Sequence, residues 1–295
     1  MTNILCINGG GVRGIIPLII IKKLNKYNNI LDKIDIVSGS SIGAIISCCL
    51  VLPDKDNNYK YNIDQLINLF IYLMNRIFNV SWFRYIYSLN GLIISKYDDK
   101  IINDILYELF NDMKLNQLLK NVIIPSYDLN NNKSIIFNSI DHGEMLIRDI
   151  LRGTTAAPTY FNPYEFIYNN NKMKLIDGSI IDNNTSRICL FNNIKDKKLK
   201  IINLGTGYIN DNINNNYGII KWLPKIINII MNGEINEDIN ECKLLLNDKY
   251  LYIDLLINNK YYKLDKPLYI DYYIEQTNKY IDNSIINEYI KWYNL

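Results

Sequence analysis

The sequence predicts an α/β fold with parallel strands, and three stretches carry that expectation. In each, a short apolar run ends in a glycine-rich turn. Ile4 to Asn8 runs into Gly9-Gly10-Gly11-Val12-Arg13-Gly14, followed by an apolar segment from Ile15 to about Tyr27. Ile34 to Ser38 runs into Gly39-Ser40-Ser41-Ile42-Gly43, followed by Ala44 to Leu50. Leu199 to Leu204 runs into Gly205-Thr206-Gly207. Strand, tight turn and helix in that order build open α/β sheets, which bind ligands at the carboxyl ends of their strands.

The first glycine loop leaves backbone N–H groups unshielded, which suits an anion or an oxyanion. Pro17 sits near the helix start, where its missing N–H costs little. The loop also matches Gly-x-Gly-x-x-Gly, so a nucleotide-binding protein using Gly9 to Gly14 is a rival reading. That fingerprint needs an acid at the carboxyl end of the second strand. Here the acid, Asp35, stands at the amino end, and the carboxyl end carries Ser41 instead. A Walker loop would need a Gly-Lys-Ser/Thr that does not follow.

The second loop is a Gly-x-Ser-x-Gly pentapeptide between strand and helix, the nucleophile-elbow pattern. Such a turn is too tight for side chains beside the serine. It presents Ser41 Oγ at the strand end, above a helix N-terminus that favours negative charge.

Further along, Ile63 to Asn75 is helical by spacing, with Leu66, Leu69, Phe70 and Leu73 on one face. Phe78 to Leu92 is aromatic-rich, with Trp82, Phe83, Tyr85 and Tyr87. It reads as a core patch under a loop or as an apolar wall for an acyl chain. Asp98 to Phe110 is a second amphipathic helix. Asn121 to Tyr127 and Lys133 to Asn138 read as strands, and Asp141 to Arg152 as a helix. The small residues of Thr154-Thr155-Ala156-Ala157-Pro158 let that helix end approach the active loops. Lys174 to Ile176 is a brief strand before Asp177-Gly178-Ser179, where Gly178 permits a turn that aims Asp177 into a cleft. After Tyr208 the chain becomes helix-rich. Ile219 to Ile230 keeps helical spacing around Lys221, Trp222, Pro224 and Lys225, and reads as packing on the domain or as a membrane-surface helix. Lys249 to Ile257 reads as a strand and Ile270 to Tyr293 as a closing helix.

A net charge of +2 over 295 residues gives no nucleic-acid footprint. Five cysteines, an odd number without a Cys-x-x-Cys, point to reduced, buried thiols. The N-terminus lacks the basic and apolar regions of a signal peptide, and Ile15 to Ile21 is too short to span a bilayer. A cytoplasmic location, with peripheral contact to membranes, is the expectation; oligomeric state is left open. One histidine makes a metal site unexpected, and no cofactor is called for.

A serine nucleophile needs a base. The only histidine, His142, stands in a polar run before Asp177, and no histidine follows the acid as the α/β-hydrolase order requires. A serine-carboxylate dyad of Ser41 and Asp177 remains. The loop Gly9-Gly10-Gly11-Val12-Arg13-Gly14, the elbow Gly39-Ser40-Ser41-Ile42-Gly43 and Asp177-Gly178-Ser179 together resemble the motifs of the patatin-like phospholipases. Thr155-Ala156-Ala157-Pro158-Thr159-Tyr160-Phe161 and Leu204-Gly205-Thr206-Gly207 are also similar to that family, so the resemblance runs from Leu5 to about Gly207. Two positions depart from it: Asn8 stands where the family usually has Asp, and Ser179 where it has Gly or Ala.

The resemblance implies a three-layer α/β/α sandwich with a mostly parallel sheet. It also implies calcium-independent hydrolysis of acyl esters in phospholipids or related lipids. Residues 1–210 would form the catalytic domain, with 211–295 a helix-rich portion packed on it. Ser41 would be the nucleophile and Asp177 the base. N–H groups of Gly9, Gly10, Gly11 and Val12, with Ile42, would form the oxyanion hole. Arg13 would order the loop or meet a substrate phosphate. A non-catalytic lipid-binding module of the same fold is the other alternative.

Overall fold

The computed structural model describes residues 2–79, 88, 91, 93–210, 226, 229 and 235–295. The aromatic stretch around Trp82 to Tyr87 and most of the segment from Ile219 to Ile230 lie outside the described residues.

An eight-stranded sheet forms the middle layer. Its strands are β1 (Asn3–Ile7), β2 (Ile36–Gly39), β3 (Asn121–Asp128), β4 (Lys133–Asn138), β5 (Tyr164–Tyr168), β6 (Asn171–Ile176), β7 (Lys200–Leu204) and β8 (Tyr250–Ile253). They lie in the order β5-β6-β3-β2-β1-β7-β8, with β4 on the other edge of β3. From β3 through β8 the path is parallel; β4, β5 and β6 pair antiparallel.

Both faces of the central strands are buried, which is why they read as continuous apolar runs rather than alternating ones. Leu5 and Ile7 of β1 point into the larger core. There they meet α1 (Ile15–Leu24), α2 (Ile42–Leu50), α3 (Ile63–Ile77), α4 (Asp99–Phe110) and α5 (Ile147–Thr154). Ile4 and Cys6 point the other way, toward α6 (Ser186–Asn192) and α7 (Ile235–Leu246). The result is an α/β/α sandwich. The C-terminal portion contributes β8 and then α8 (Ile270–Tyr280) and α9 (Asn283–Asn294). All five cysteines are buried free thiols. Among the described residues no helix is long and apolar enough to cross a membrane.

Three elements differ from the sequence reading, each for a local reason. The helix expected from Asp141 begins only at Ile147: the Asn138 side chain accepts from the N–H groups of Ile140 and Asp141 and holds a turn, and the Gly143 and Met145 carbonyls are taken by Asn116 and Leu115 N–H. The closing helix is two helices, broken where the Asp282 side chain caps Ser284 and Ile285. The brief strand before Asp177 is the second arm of a hairpin. Asn169 and Asn170, at φ 47° and 62°, supply the left-handed turn between β5 and β6.

The edge of β3 explains how the site assembles. Its first residues, Asn121 to Ile123, pair with β2, while Tyr127 and Asp128 pair with β6. Both partners use the same edge, since β4 occupies the other. The end of β6 is therefore delivered to the carboxyl end of β2.

Candidate active site

Ser41 sits between β2 and α2 at φ 52° and ψ −123°, a conformation that side chains rarely adopt. The chain turns there across the end of β1. A Cβ on Gly43 would stand 2.2 Å from Ile7 O, and one on Gly39 would stand 2.4 Å from the Gly43 carbonyl. Both obstacles are backbone and have no rotamer to yield. Gly43→Ala is accordingly expected to destabilise the fold by at least about 2 kcal/mol, read as a lower urea midpoint.

The elbow aims Ser41 Oγ at Asp177. The hydroxyl donates to Oδ2 at 2.7 Å, and Ser179 N–H donates to Oδ1 at 2.8 Å. Asp177 follows β6 directly, and Gly178 presses against β3, where a Cβ would meet Pro125 O at 2.1 Å. Thr154 braces the same corner: it donates to Pro125 O at 2.7 Å and accepts from Ser41 N–H at 3.3 Å. Burial pushes the Asp177 carboxyl up from 3.8 to about 6, against the hydrogen bonds from Ser41 and Ser179 that pull it down.

The glycine loop lies beside this pair and is held from behind. Thr206 Oγ1 donates to Gly9 O at 2.7 Å. Arg13 is buried, donates to Gly10 O and Gly207 O at 3.4 and 3.0 Å, and stacks on Tyr262 at 3.8 Å. These contacts are those of a loop-ordering residue. Asp254, at the carboxyl end of β8, accepts from Gly207 N–H at 2.6 Å, and burial raises its carboxyl to about 6 as well.

Val12 departs from the expectation. Its N–H donates to Leu264 O at 2.8 Å and is engaged, so it offers no free donor to an oxyanion. Among the described residues no acceptor takes the N–H groups of Gly9, Gly10, Gly11 or Ile42. Asn8 is buried, and its Oδ1 finds no donor among them.

His142 stands apart from the pair. Its Nδ1 accepts from Asn138 N–H at 3.3 Å and its ring packs edge-on to Phe137, after β4 on the far side of β3. Burial lowers its pKa, with Asp141 opposing. Asp35 is at the amino end of β2, accepting from Asn3 N–H at 2.8 Å, away from the glycine loop's open side.

Above Ser41 and Asp177 opens a narrow cleft of about 50 Å³. Ile42, Ile45, Met74, Ile77, Phe78, Ile102, Tyr160 and Phe161 make its walls apolar, and Leu264 closes one side. Motif reading missed Asp254 and Leu264, and it quoted Thr154 and Thr206 within motifs without giving either its bracing role. The strand expected from Lys249 to Ile257 ends at Ile253, which leaves Asp254 at its carboxyl end.

The fold and this motif set define a lipid ester hydrolase of the α/β/α kind. The family model of patatin-like phospholipases matches residues 5–190, and the chain belongs to that family. It is 29% identical over 270 residues to patatin-like protein 2 of Oryza sativa subsp. indica, covering 76% of this chain and 67% of that protein. It is 27% identical over 268 residues to a potato (Solanum tuberosum) protein named probable inactive patatin-3-Kuras 1, covering 77% of this chain and 70% of that one. VipD from Legionella pneumophila superposes at a TM-score of 0.46 with 13% identity, over 97% of this chain and 67% of that one.

Proposed function

We propose that the protein hydrolyses fatty-acyl esters of phospholipids or related lipids by a Ser41–Asp177 dyad, without calcium. The observation that carries this reading is the 2.7 Å bond from Ser41 Oγ to a buried carboxylate at the floor of an apolar cleft. Asp177 Oδ2 takes the hydroxyl proton as Ser41 Oγ attacks the ester carbonyl. The N–H groups of Gly10, Gly11 and Ile42 receive the oxyanion. Collapse of the tetrahedral adduct breaks the ester C–O bond, and the leaving alkoxide takes the proton from Asp177. The acyl chain stays on Ser41 along the apolar wall. Water then attacks the acyl-serine, giving its proton to Asp177, which returns it to Ser41 Oγ as the fatty acid leaves.

The test is fatty-acid release from mixed phospholipid vesicles in EGTA. Release is expected from the wild type and, within about twofold, from His142→Ala, since that ring makes no bond to the pair. Abolished release in a folded His142→Ala would overturn the dyad. A wild type that binds vesicles but hydrolyses neither lipids nor short-chain esters would instead be a lipid-binding module. Nucleotide binding that survives Ser41→Ala would favour the nucleotide reading.

A further inference from the structure

The segment from Lys260 to Leu268 straps across the cleft mouth. Leu264 lines the cleft and its carbonyl takes Val12 N–H at 2.8 Å. Tyr262 lies on the Arg13 guanidinium at 3.8 Å. Asp265 turns inward, 6% exposed, and accepts from Tyr97 OH at 2.7 Å and from Lys96. Lys96 and Tyr97 are in turn paired through their N–H groups to Thr159 and Tyr160, and Tyr160 lines the cleft. The strap is thus fixed to both sides of the opening.

Its outward side carries one sign of charge. Lys260, Lys263 and Lys266 are exposed, and among the described residues no carboxylate pairs with their ammonium groups. The one acid between them, Asp265, is buried and bonded to Lys96 and Tyr97, with Lys266 adding a weaker electrostatic pull on it. Beside the lysines stand bare aliphatic side chains: Leu268 is 86% exposed, Ile93 68% and Ile94 49%. Ile94 is two residues from Lys96 and Leu268 three from Asp265, so the Lys96–Asp265 pair ties together the two segments that carry them. Single exposed aliphatics are common, but here three stand on segments tied together beside exposed lysines at the mouth of the apolar cleft.

We propose that this rim, Ile93–Ile94 together with the Lys260–Leu268 strap, is a docking surface for an anionic phospholipid bilayer. The inference rests on the lipid-hydrolase reading and adds to it the face that meets the membrane and the charge of that membrane. The lysines sit at the phosphate level, where each contributes attraction to acidic headgroups. Leu268, Ile93 and Ile94 enter the acyl boundary. The cleft mouth then opens onto the lipid surface, and an acyl chain reaches Ser41 with little exposure to water.

The experiment is flotation of the full chain with vesicles of phosphatidylcholine alone and with about a third phosphatidylserine. Wild type, Lys263→Glu/Lys266→Glu and Ile93→Ser/Leu268→Ser are compared at low and high salt. A soluble short-chain ester is assayed in parallel. The wild type is expected to bind the acidic vesicles about tenfold or more tightly than the neutral ones, with the gap closing at high salt. The lysine reversal should cost at least about tenfold on acidic vesicles. The aliphatic change should weaken binding to both kinds, and short-chain ester hydrolysis should stay at the wild-type rate in both variants. Variants that partition as the wild type does, or a wild type without preference for acidic vesicles, overturn the docking surface. A wild type that cleaves no ester overturns the proposed activity, and the vesicle comparison still decides the surface.

Discussion

Replacing Ser41 by alanine is expected to lower lipid ester hydrolysis by about 10⁴-fold or more, a loss on the order of 5–6 kcal/mol in transition-state stabilisation. The hydroxyl is the group bonded to Asp177 Oδ2, so without it the carboxylate has no nucleophile to activate. The donors proposed at Gly10, Gly11 and Ile42 would remain and would account for a residual rate. Fold loss would be a trivial explanation, and a second substitution removes it. Ser41→Gly also deletes the hydroxyl but lacks the Cβ held at φ 52°. It is expected to be about 1 kcal/mol more stable than Ser41→Ala by urea denaturation, the relief of local strain exceeding the entropy cost of glycine. Equal inactivity with unequal stability is the signature of a strained nucleophile. An alanine variant retaining a tenth of the activity would mean another group attacks.

The sequence exposed the parts of this site that are local. Ser41 and its glycines fall within five residues between two apolar runs, and the elbow forms from those residues wherever the strand ends. Asp177 was legible for the same reason: a short apolar run, then Asp-Gly. What brought the two together was not legible, because it depends on β2 and β6 sharing one edge of β3, a pairing between distant segments. The Asn169-Asn170 turn was a readable hairpin signal and would have extended the brief strand to a full arm.

Val12 shows the opposite limit. A glycine-rich loop advertises free N–H groups, but whether each stays free depends on what packs over it. The Leu264 carbonyl comes from the far end of the chain, with no motif of its own. Thr206 stands in a legible glycine turn, but its bond to Gly9 O, like the Asp254 bond to Gly207 N–H, joins distant segments and is hidden for the same reason. The break near Asp282 is set by a capping side chain and the non-helical stretch at Asp141 by the Asn138 turn, each a smaller signal than the apolar spacing that surrounds it.

Asp177→Asn is expected to remove activity by about 10³-fold or more while making the protein more stable at neutral pH. The amide cannot take the Ser41 proton, yet it fills the same space. The stability gain follows from the carboxyl's environment. Burial raises it from 3.8 to about 6, so the folded state holds a proton that the unfolded chain releases. That contribution to stability is fully present below about pH 3.8 and is lost as pH rises through about 6. Above that, the buried carboxylate costs about 3 kcal/mol relative to a group with its ordinary pKa. The asparagine variant avoids this cost, so its advantage should grow from under about 1 kcal/mol at pH 4 to about 3 kcal/mol at pH 8. Asp254, raised by burial to about 6, acts with the same sign in both proteins and cancels in the comparison. Catalysis runs the other way. The base must be ionised, so wild-type hydrolysis should climb through a pKa near 6 and level off by neutral pH. Denaturant melts at the two pH values and a rate profile between pH 5 and 8 test both halves. An advantage independent of pH, or a flat rate profile, would sink the assignment of Asp177 as the base. If both slopes appear, the pH range in which the enzyme works is the range in which its buried carboxylate opposes the fold, and the rest of the sandwich holds that charge in place.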